Sequence, residues 1–483
     1  GRGLAFATRL VDRFGLESRF PGVRVFVPPA VILGTDVFNE FLDANDLRSL
    51  SLRSEDEGDM VQRFSEARFP WAARQQLASF LFASSHPLAV RSSSLLEDSP
   101  YQPFAGIFET LMLPNDHPDP RVRSEQLIAA IKRVYASTFS VASKAFLAAT
   151  PYRLEEEAMA VIIQKMVGSA HGDFFYPTLA GVARSYNFYP TPPATFEDGI
   201  TAAALGLGRT VVEGEPSFRF CPAYPNHNLE FSTVEEMVQT TPREFWALQL
   251  GDGLGGADWR EEGRMVRVPV SEAEKAGVLH WLGSTYSPEN NAVYDGVSRS
   301  GVRLVTLAPI LKHGLFPLAD ILDALLEIGA SGTRSPVEIE FAVNLSTPPG
   351  EPKEFGFLQL RPLAGIRELD AVEIEVEDRV DALCQSPSVL GNGRVGEVFD
   401  VVMVDRKTYH RSQAVEAARS VARFNRTLVA EGRPYLLIGV GRWGSTHPWL
   451  GIPVKWDEIA GARAIVEAGF ADFKVTPSQG THF

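Results

Sequence analysis

The stretch VEIEFAVNLSTPPGEPKEFGFLQLRPL, residues 337–363, is the most informative part of the chain for its fold class. It holds two runs of strand length, 337–343 and 355–363, on either side of a loop rich in proline and glycine. A segment with helical periodicity, LADILDALLEIGA at 318–330, precedes them. Helical and strand-like runs alternate in this way along the chain, which predicts a mixed α/β (α+β) fold.

Four polar side chains interrupt the apolar pattern of those two runs. Glu338 and Glu340 stand two residues apart, as do Gln359 and Arg361, and residues two apart on a strand share a face. If the runs pair through a hairpin-like loop at 346–354, the four side chains converge on one surface. Mg²⁺ is often held by one or two carboxylates together with substrate phosphates. A solvated strand edge, or an arginine that merely pairs with the carboxylates, would produce the same pattern.

Arg91 is a further candidate site residue. The strand-like run Leu88–Val90 leads to it, and three serines at 92–94 follow it. A guanidinium forms bidentate hydrogen bonds with phosphate oxygens and keeps its charge, and hydroxyl and backbone donors beside it would add to a phosphate site. A surface loop that carries an ordinary Arg–Glu pair is the alternative interpretation.

Two glycine-rich segments give weaker indications. Gly206-Leu207-Gly208, with Gly214, could supply backbone donors to a phosphate, although such glycines are common in plain turns. Residues 439–444, GVGRWG, match a dinucleotide-binding pattern that requires a helix next, and the Ser-Thr-His-Pro at 445–448 does not favour one. The histidine spacings typical of zinc sites and the nucleophile motif of serine hydrolases do not occur in the sequence.

Composition and charge narrow the functional classes. A chain of 483 residues predicts two to four domains, at about 100–200 residues each. Lys and Arg total 46 against 60 Asp and Glu, and the net charge of −14 argues against broad binding to nucleic acid or an anionic membrane. Cys221 and Cys384 are too few for a disulfide framework, and no apolar run reaches the about 18 residues of a membrane span. We therefore expect a cytoplasmic protein.

The acidic stretch ELDAVEIEVED, 368–378, marks a candidate domain boundary. Residues 1–365 form the first predicted unit. Within it, we expect a subdomain boundary near 115–155 and an insertion at 232–300, where the composition turns polar and glycine-rich.

Residues 370–483 form the second predicted unit, a smaller α/β unit of unknown role. Its sequence predicts a helix at 412–432 and a strand at 435–441. The start at Gly1 and the end at Phe483, without a polar tail, favour a piece of a longer protein with the second unit truncated.

Other elements of the first unit are predicted from periodicity. Residues 54–84 have a helical pattern throughout, and a second helical stretch runs over 124–148 with Ser124 as its cap. The apolar run MAVIIQKMV, 159–167, has the length of a strand.

Taken in order, these motifs resemble the ATP-binding, ATP-grasp-like domain of phosphoenolpyruvate synthase and pyruvate phosphate dikinase. VPPAVILGTDVFNEFL, 27–42, is similar to an early segment of that family, and AVRSSSLLEDSPYQPFAGIFETLM, 89–112, to its most specific one. The strand at 159–167, LGLGRTVVEG at 205–214 and the two runs within 337–363 complete the order. The resemblance covers about residues 1–365 and implies a nucleotide-binding fold of two subdomains.

The resemblance implies roles for the residues of the first motifs. Arg91 would be a catalytic residue that contacts the ATP phosphates, with Ser92 and Gly106 beside it. Gln164 would lie near the adenine.

It also implies roles for the four polar residues of 337–363. Glu338 and Glu340 would hold Mg²⁺ at the phosphate end, where the family commonly has an aspartate at the first of the two positions. Gln359 and Arg361 would complete the polyphosphate site, with Arg361 as a second catalytic residue.

Departures from the family pattern limit the resemblance. The phosphate-binding lysine of a Gly-Gly-Lys motif is expected just upstream of Gly1, and Arg209 stands where the family usually has an acidic residue. The phosphohistidine segment and the pyruvate-binding barrel of the family have no match, so we expect both outside this chain segment.

The implied function is the ATP-binding domain of a phosphoenolpyruvate-synthase-like phosphotransferase, a kinase. It would bind Mg·ATP for transfer of a phosphoryl group to an enzyme histidine, with AMP and phosphate as products, and then to pyruvate or another acceptor. The fragment would not complete that reaction alone. A non-catalytic ATP sensor and an ATP-grasp carboxylate–amine ligase that forms ADP are the alternatives.

Overall fold

The structure is a computed structural model. It describes residues 2–53, 56–94, 108–148, 153–154, 157–188, 190–212, 217–227, 234, 237–238, 241–251, 264–363, 374, 382–386, 389, 394–445 and 450–469. Within these ranges, no helix combines the length and the apolar character that a membrane span requires.

Helices and strands are interspersed along the described residues, in short runs of each kind. The α-helices are α1 (Arg2–Arg13), α2 (Leu16–Arg19), α3 (Thr35–Ala44), α4 (Leu47–Arg53), α5 (Glu57–Glu66), α6 (Trp71–Ala83), α7 (Pro120–Ser137), α8 (Val141–Ala148), α9 (Arg209–Val212), α10 (Val270–Lys275), α11 (Ala308–Leu311), α12 (Leu318–Thr333) and α13 (Ala414–Ala430). Short 3₁₀-helices lie at Val278–Trp281, Arg411–Gln413 and Trp456–Glu458.

The strands are β1 (Val23–Phe26), β2 (Ala30–Leu33), β3 (Leu88–Ser93), β4 (Thr110–Leu113), β5 (Ala160–Lys165), β6 (Ser169–His171), β7 (Phe174–Tyr176), β8 (Leu179–Arg184), β9 (Ile200–Leu205), β10 (Phe218–Phe220), β11 (Glu244–Gln249), β12 (Met265–Pro269), β13 (Gly283–Ser287), β14 (Ala292–Asp295), β15 (Val302–Val305), β16 (Val337–Asn344), β17 (Lys353–Pro362), β18 (Asp400–Met403), β19 (Tyr435–Val440), β20 (Arg442–Trp443), β21 (Gly451–Ile452) and β22 (Ala462–Ala468). These helices and sheets confirm the mixed α/β class.

A six-stranded sheet forms the centre of the largest core. Its strand order is β1-β17-β16-β8-β9-β10, with β1 parallel to β17 and the other neighbours antiparallel. One face is apolar because Val337, Ile339 and Phe341 of β16 point the same way as Phe355 and Phe357 of β17, and all five are buried. Helices α1 and α12 pack against this sheet. A second sheet, β12-β11-β7-β6, shares the same core.

A four-stranded antiparallel sheet, β2-β5-β3-β4, builds a separate core with the helices α3 to α7. Its interior is aromatic: Phe38, Phe41, Phe64 and Tyr135 are buried, and the rings of Phe38 and Tyr135 meet edge to face at 4.9 Å. Only the short connection 27–29 separates β1 in the six-stranded sheet from β2 in this one. The edges of the two sheets that contain β1 and β2 therefore lie next to each other.

The prediction of one continuous helix over 54–84 is wrong. Helix α5 ends at Glu66 and α6 begins at Trp71, because Pro70 lacks the N–H group that an uninterrupted helix would use. The predicted cap at Ser124 is also wrong. Helix α7 begins at Pro120, and the Asp119 side chain accepts a hydrogen bond from the N–H of Arg121.

The described part of the C-terminal region contains a parallel three-stranded sheet, β18-β19-β22, with α13 packed on its core. This confirms the helix predicted at 412–432 and the strand predicted at 435–441. Two glycines of GVGRWG, Gly439 and Gly441, are required by the local packing and backbone conformation. A Cβ on Gly439 would collide with the buried ring of Trp443, and Gly441, at φ 76°, turns the chain from β19 into β20. Since β20 follows that turn directly, no helix opens there and the dinucleotide pattern has no support.

Candidate functional site

The register of β16 and β17 brings the four predicted polar residues together. Glu338 lies opposite Arg361 and Glu340 lies opposite Gln359, which confirms the expected pairing of the two runs. The next pair along the strands is Phe341 and Phe357, so Leu358 has no partner position on β16. Leu358 is therefore the extra residue of a β-bulge in β17. Without that extra residue, Phe357 would share a face with Gln359 instead of with the buried Phe341. The bulge therefore keeps both the apolar face and the polar face intact.

Glu338 is enclosed by two arginines from the neighbouring strands. Arg184 of β8 donates from Nε to Oε2 at 2.6 Å, and Arg361 of β17 donates from Nε to Oε1 at 2.7 Å. Register places both directly beside Glu338, one on each side. We call Arg184, Glu338 and Arg361 the buried row.

The carboxylate of Glu338 is held in its ionised form. Its side chain is only 2% exposed, and burial alone would raise its pKa. The positive charges of Arg361 and Arg184, with their hydrogen bonds, outweigh the burial and lower the pKa of Glu338 to about 2. This side chain is therefore a permanently charged member of the sheet at neutral pH.

Arg91 joins the two sheets. It lies on β3 of the four-stranded sheet, and its Nη2 donates to Oε2 of Glu340 at 2.5 Å and also to Oε1 of Gln359. The side chains of Arg91 and Glu340 are 18% and 21% exposed, so this contact reaches solvent more than the buried row does. We call Arg91, Glu340 and Gln359 the cleft contact.

A cleft lies beside the cleft contact, with about 380 Å³ of empty space that includes its opening to solvent. Arg91 lies opposite Ile162 in the register of β3 and β5, and Gln164 follows two residues later on the same face. The Gln164 amide is nearly fully buried, with Nε2 3.5 Å from the carbonyl oxygen of Pro28. The lining residues are Gly3, Leu4, Arg91, Ser92, Ser93, Ile162, Gln164, Leu358, Gln359 and Leu360.

The Gly206-Leu207-Gly208 loop packs against β11. The N–H of Leu207 donates to the carbonyl oxygen of Trp246 at 2.9 Å, so that donor is used within the fold. The guanidinium of Arg209 stacks on the Trp246 ring at 4.3 Å. Gly214, the other glycine of this candidate loop, lies outside the described residues.

The family model for the pyruvate phosphate dikinase AMP/ATP-binding domain matches residues 15–381, about three quarters of the chain. This chain belongs to that family. The resemblance inferred from the motifs is confirmed, and the coarse function is that of an ATP-binding domain in a kinase family.

Curated proteins with similar sequences carry related names. The uncharacterized phosphotransferase YvkC of Bacillus subtilis is 27% identical over 194 residues, 39% of this chain and 20% of the relative. The rifampicin phosphotransferase of Bacillus cereus is 26% identical over 179 residues, 35% and 18% of the two chains. The phosphoenolpyruvate synthase of Aquifex aeolicus is 27% identical over 212 residues, 40% and 23%. The matches thus span about a fifth of the length of these relatives.

Within this pyruvate phosphate dikinase-type domain, the structure brings most of the predicted residues to one place. Arg91, Ser92, Gln164 and Gln359 line the cleft, and Glu340 contacts Arg91 beside it. Glu338 and Arg361 lie one residue pair further along the same strands. Gly106 falls outside the described residues, so its predicted place beside Arg91 stays a prediction.

Sequence reasoning missed Arg184. Its signal is the pattern LAGVAR, in which an arginine ends an otherwise apolar strand. A buried arginine requires a carboxylate or carbonyl partner, but the sequence does not say which one, because Glu338 is 154 residues away.

Proposed function

We propose that this chain binds Mg·ATP in the cleft between the four-stranded and six-stranded sheets, with residues 1–365 as the ATP-binding domain of a phosphoenolpyruvate-synthase-like phosphotransferase. The cleft contact is the observation that carries this proposal. Arg91 reaches from one sheet to two oxygens of the other, so a single guanidinium lies between both walls of the cleft. A polyphosphate would offer the same cation more negative charge than one carboxylate does.

The residues at the two ends of the cleft suit the two ends of ATP. Gln164 offers a buried amide, which can both donate and accept hydrogen bonds, as the edge of an adenine requires. Arg91, Ser92 and Ser93 line the other part of the cleft, and Arg361 lies one residue pair beyond Gln359, so these residues would supply cations and donors for the phosphates. We assign the adenine to the Gln164 end and the phosphates to the Arg91 end.

Mg²⁺ fits the donor set through Glu340. The carboxylate of Glu340 and the amide oxygen of Gln359 are oxygen donors beside the cleft, and Mg²⁺ is commonly held by one or two carboxylates together with phosphate oxygens. Glu338 shares that face, but both of its oxygens accept hydrogen bonds from arginines. Among the described residues, no three His, Cys, Asp or Glu side chains are close enough to form a metal site without the nucleotide. When bound, the ion would neutralise phosphate charge.

The reaction that we propose for the whole protein transfers the β-phosphoryl group of ATP to an enzyme histidine, while water takes up the terminal phosphoryl group, so that AMP and phosphate are released. The phosphohistidine-bearing domain and the acceptor site, for pyruvate or another acceptor, would lie outside this segment. The names of the relatives support a varied acceptor, since one is a rifampicin phosphotransferase and another a phosphoenolpyruvate synthase. The contribution of this domain would be to orient the phosphates and to compensate their charge.

Product analysis on the full-length protein tests this proposal. With ATP labelled in the adenine, we expect AMP as the nucleotide product. ADP would instead indicate a carboxylate–amine ligase, and binding without turnover would indicate a nucleotide sensor. Arg91→Met should abolish turnover and weaken ATP binding. The control is Arg303→Met, which removes an arginine that pairs with Glu274 and lies on β15, in a different sheet from the strands of the cleft. This variant should change neither turnover nor binding.

A further inference from the structure

Arg184 is the last residue of β8 and lies directly beside Glu338 of β16. Its side chain is 10% exposed, and its Nε points to Glu338 across the sheet. On the other side of Glu338, Arg361 uses both Nε and Nη2 on the remaining oxygen, Oε1. The carboxylate therefore has one arginine for each oxygen.

This arrangement sets the direction of the Arg361 guanidinium. A long arginine side chain loses rotamer entropy when it is ordered, and a fixed acceptor reduces the number of positions that it samples. Glu338 can be such an acceptor only if its own carboxylate is held in place. Arg184 holds it from the side that Arg361 does not reach.

We propose that Arg184 is a positioning residue of the nucleotide site, which fixes Glu338 so that Glu338 anchors Arg361 toward the phosphates, and that Glu338 is an arginine anchor rather than a metal ligand. This inference rests on the proposed function, because it needs ATP phosphates beside Arg361. It assigns the metal to Glu340, whose only guanidinium partner among the described residues is Arg91.

The anchor role predicts an effect that depends on the phosphates. Arg361 belongs to the phosphate end of the proposed site, and Gln164 belongs to the adenine end. Loss of the anchor should therefore weaken the binding of ATP much more than that of AMP. A general loosening of the sheet would weaken both nucleotides by the same factor.

The test is titration calorimetry of the 483-residue chain with ATP and with AMP, both in the presence of Mg²⁺, for wild type, Arg184→Met and Arg184→Lys. We expect the Kd of ATP to rise about tenfold or more in Arg184→Met, the size of a lost hydrogen bond between charged groups, while the Kd of AMP changes less than threefold. Arg184→Lys, which keeps the charge, should recover part of the ATP affinity. Arg303→Met is the control, since it removes a carboxylate-paired arginine, 22% exposed against 10% for Arg184, from another sheet.

Equal losses for ATP and AMP in Arg184→Met, or no loss for either, would overturn the positioning role. If the wild type binds neither nucleotide, the proposed function itself fails, and this outcome is distinct from the other two. A second measurement covers the case in which Arg184→Met does not fold. In Glu338→Gln, the anchor role predicts the same loss of ATP affinity with and without Mg²⁺, and a loss confined to the Mg²⁺ titration would show that Glu338 is a metal ligand.

Discussion

The buried row and the cleft contact both use the polar face of β16 and β17, with Arg184 added from β8 and Arg91 from the four-stranded sheet, yet they differ in what they can do. In the buried row, both oxygens of Glu338 are occupied and the side chain is almost inaccessible. In the cleft contact, Glu340 shares one arginine with Gln359, and that arginine comes from another sheet. The contacts of Glu338 lie within one sheet and follow from strand register, whereas a contact between sheets can exchange its partners for those of a ligand. On β16 and β17, the pair Glu338 and Arg361 thus has an anchoring function, and the neighbouring pair Glu340 and Gln359 has a binding function.

The largest effect should come from removing the anchor. Glu338→Ala would remove a buried carboxylate that Arg184 and Arg361 both contact, and we expect a loss of about 3–5 kcal/mol in the free energy of unfolding. Urea denaturation would measure it.

The control for this prediction is Glu274→Ala. Glu274 also pairs with an arginine, Arg303 at 2.7 Å, but it is 39% exposed, so its loss should cost at most about 1 kcal/mol. A Glu338→Ala variant as stable as this control would contradict the anchoring role of the buried row.

The second prediction concerns the cleft contact. At about 100 times its Kd, Mg·ATP should raise the free energy of unfolding of the domain that binds it by about 2.7 kcal/mol. Arg91→Met should remove this stabilisation, and Glu340→Gln should remove the part that depends on Mg²⁺. Thermal melts with ATP, with and without the metal ion, would measure both. Full stabilisation of the Arg91→Met variant would place the nucleotide elsewhere.

The third prediction uses pH to probe the buried row alone. Because the pKa of Glu338 falls from 4.5 to about 2 on folding, its charge contributes fully to stability above about pH 4.5, and this contribution is lost as the pH falls toward 2. The difference in unfolding free energy between wild type and Glu338→Gln should therefore be constant from pH 5 to 7 and shrink below about pH 4. A difference that stays constant down to pH 3 would argue against the low pKa.

The smallest effect is expected at the adenine end. Gln164→Met keeps the approximate volume but removes the amide, and the loss of one neutral hydrogen bond corresponds to about 1 kcal/mol, or roughly fivefold in Kd. ATP and AMP should weaken by the same factor, in contrast to Arg184→Met. A selective loss of ATP would show that Gln164 lies near the phosphates instead.

Much of the site could be predicted because its residues are close in sequence. Glu338 and Glu340, and likewise Gln359 and Arg361, reveal a shared face through their spacing alone, and the short loop between their strands makes the pairing a natural expectation. The family resemblance also came from local motifs. The domain boundaries, the roles of the site residues and the cytoplasmic location stay predictions.

Helix boundaries were harder to predict from local patterns. The apolar periodicity of 54–84 continues across Pro70, although the proline divides it into α5 and α6. At α7, the cap lies five residues before the predicted Ser124, because Asp119 and Pro120 form a better start. In both places a single residue outweighs the periodicity around it.

The order of polar and apolar residues along β16 already determined which of its side chains would face the cleft and which would enter the core, because alternation follows from strand geometry. On β17, strict alternation would place Phe355 and Phe357 on the same face as Gln359 and Arg361. Three features depended on the folded chain: the pairing of Arg184 with Glu338, the reach of Arg91 to Glu340, and the bulge at Leu358. Each joins residues through strand register or sheet packing, which are set by the burial of whole faces rather than by neighbouring residues. The charges of the site can thus be read from the sequence, but their partners follow from the packing of one sheet against another.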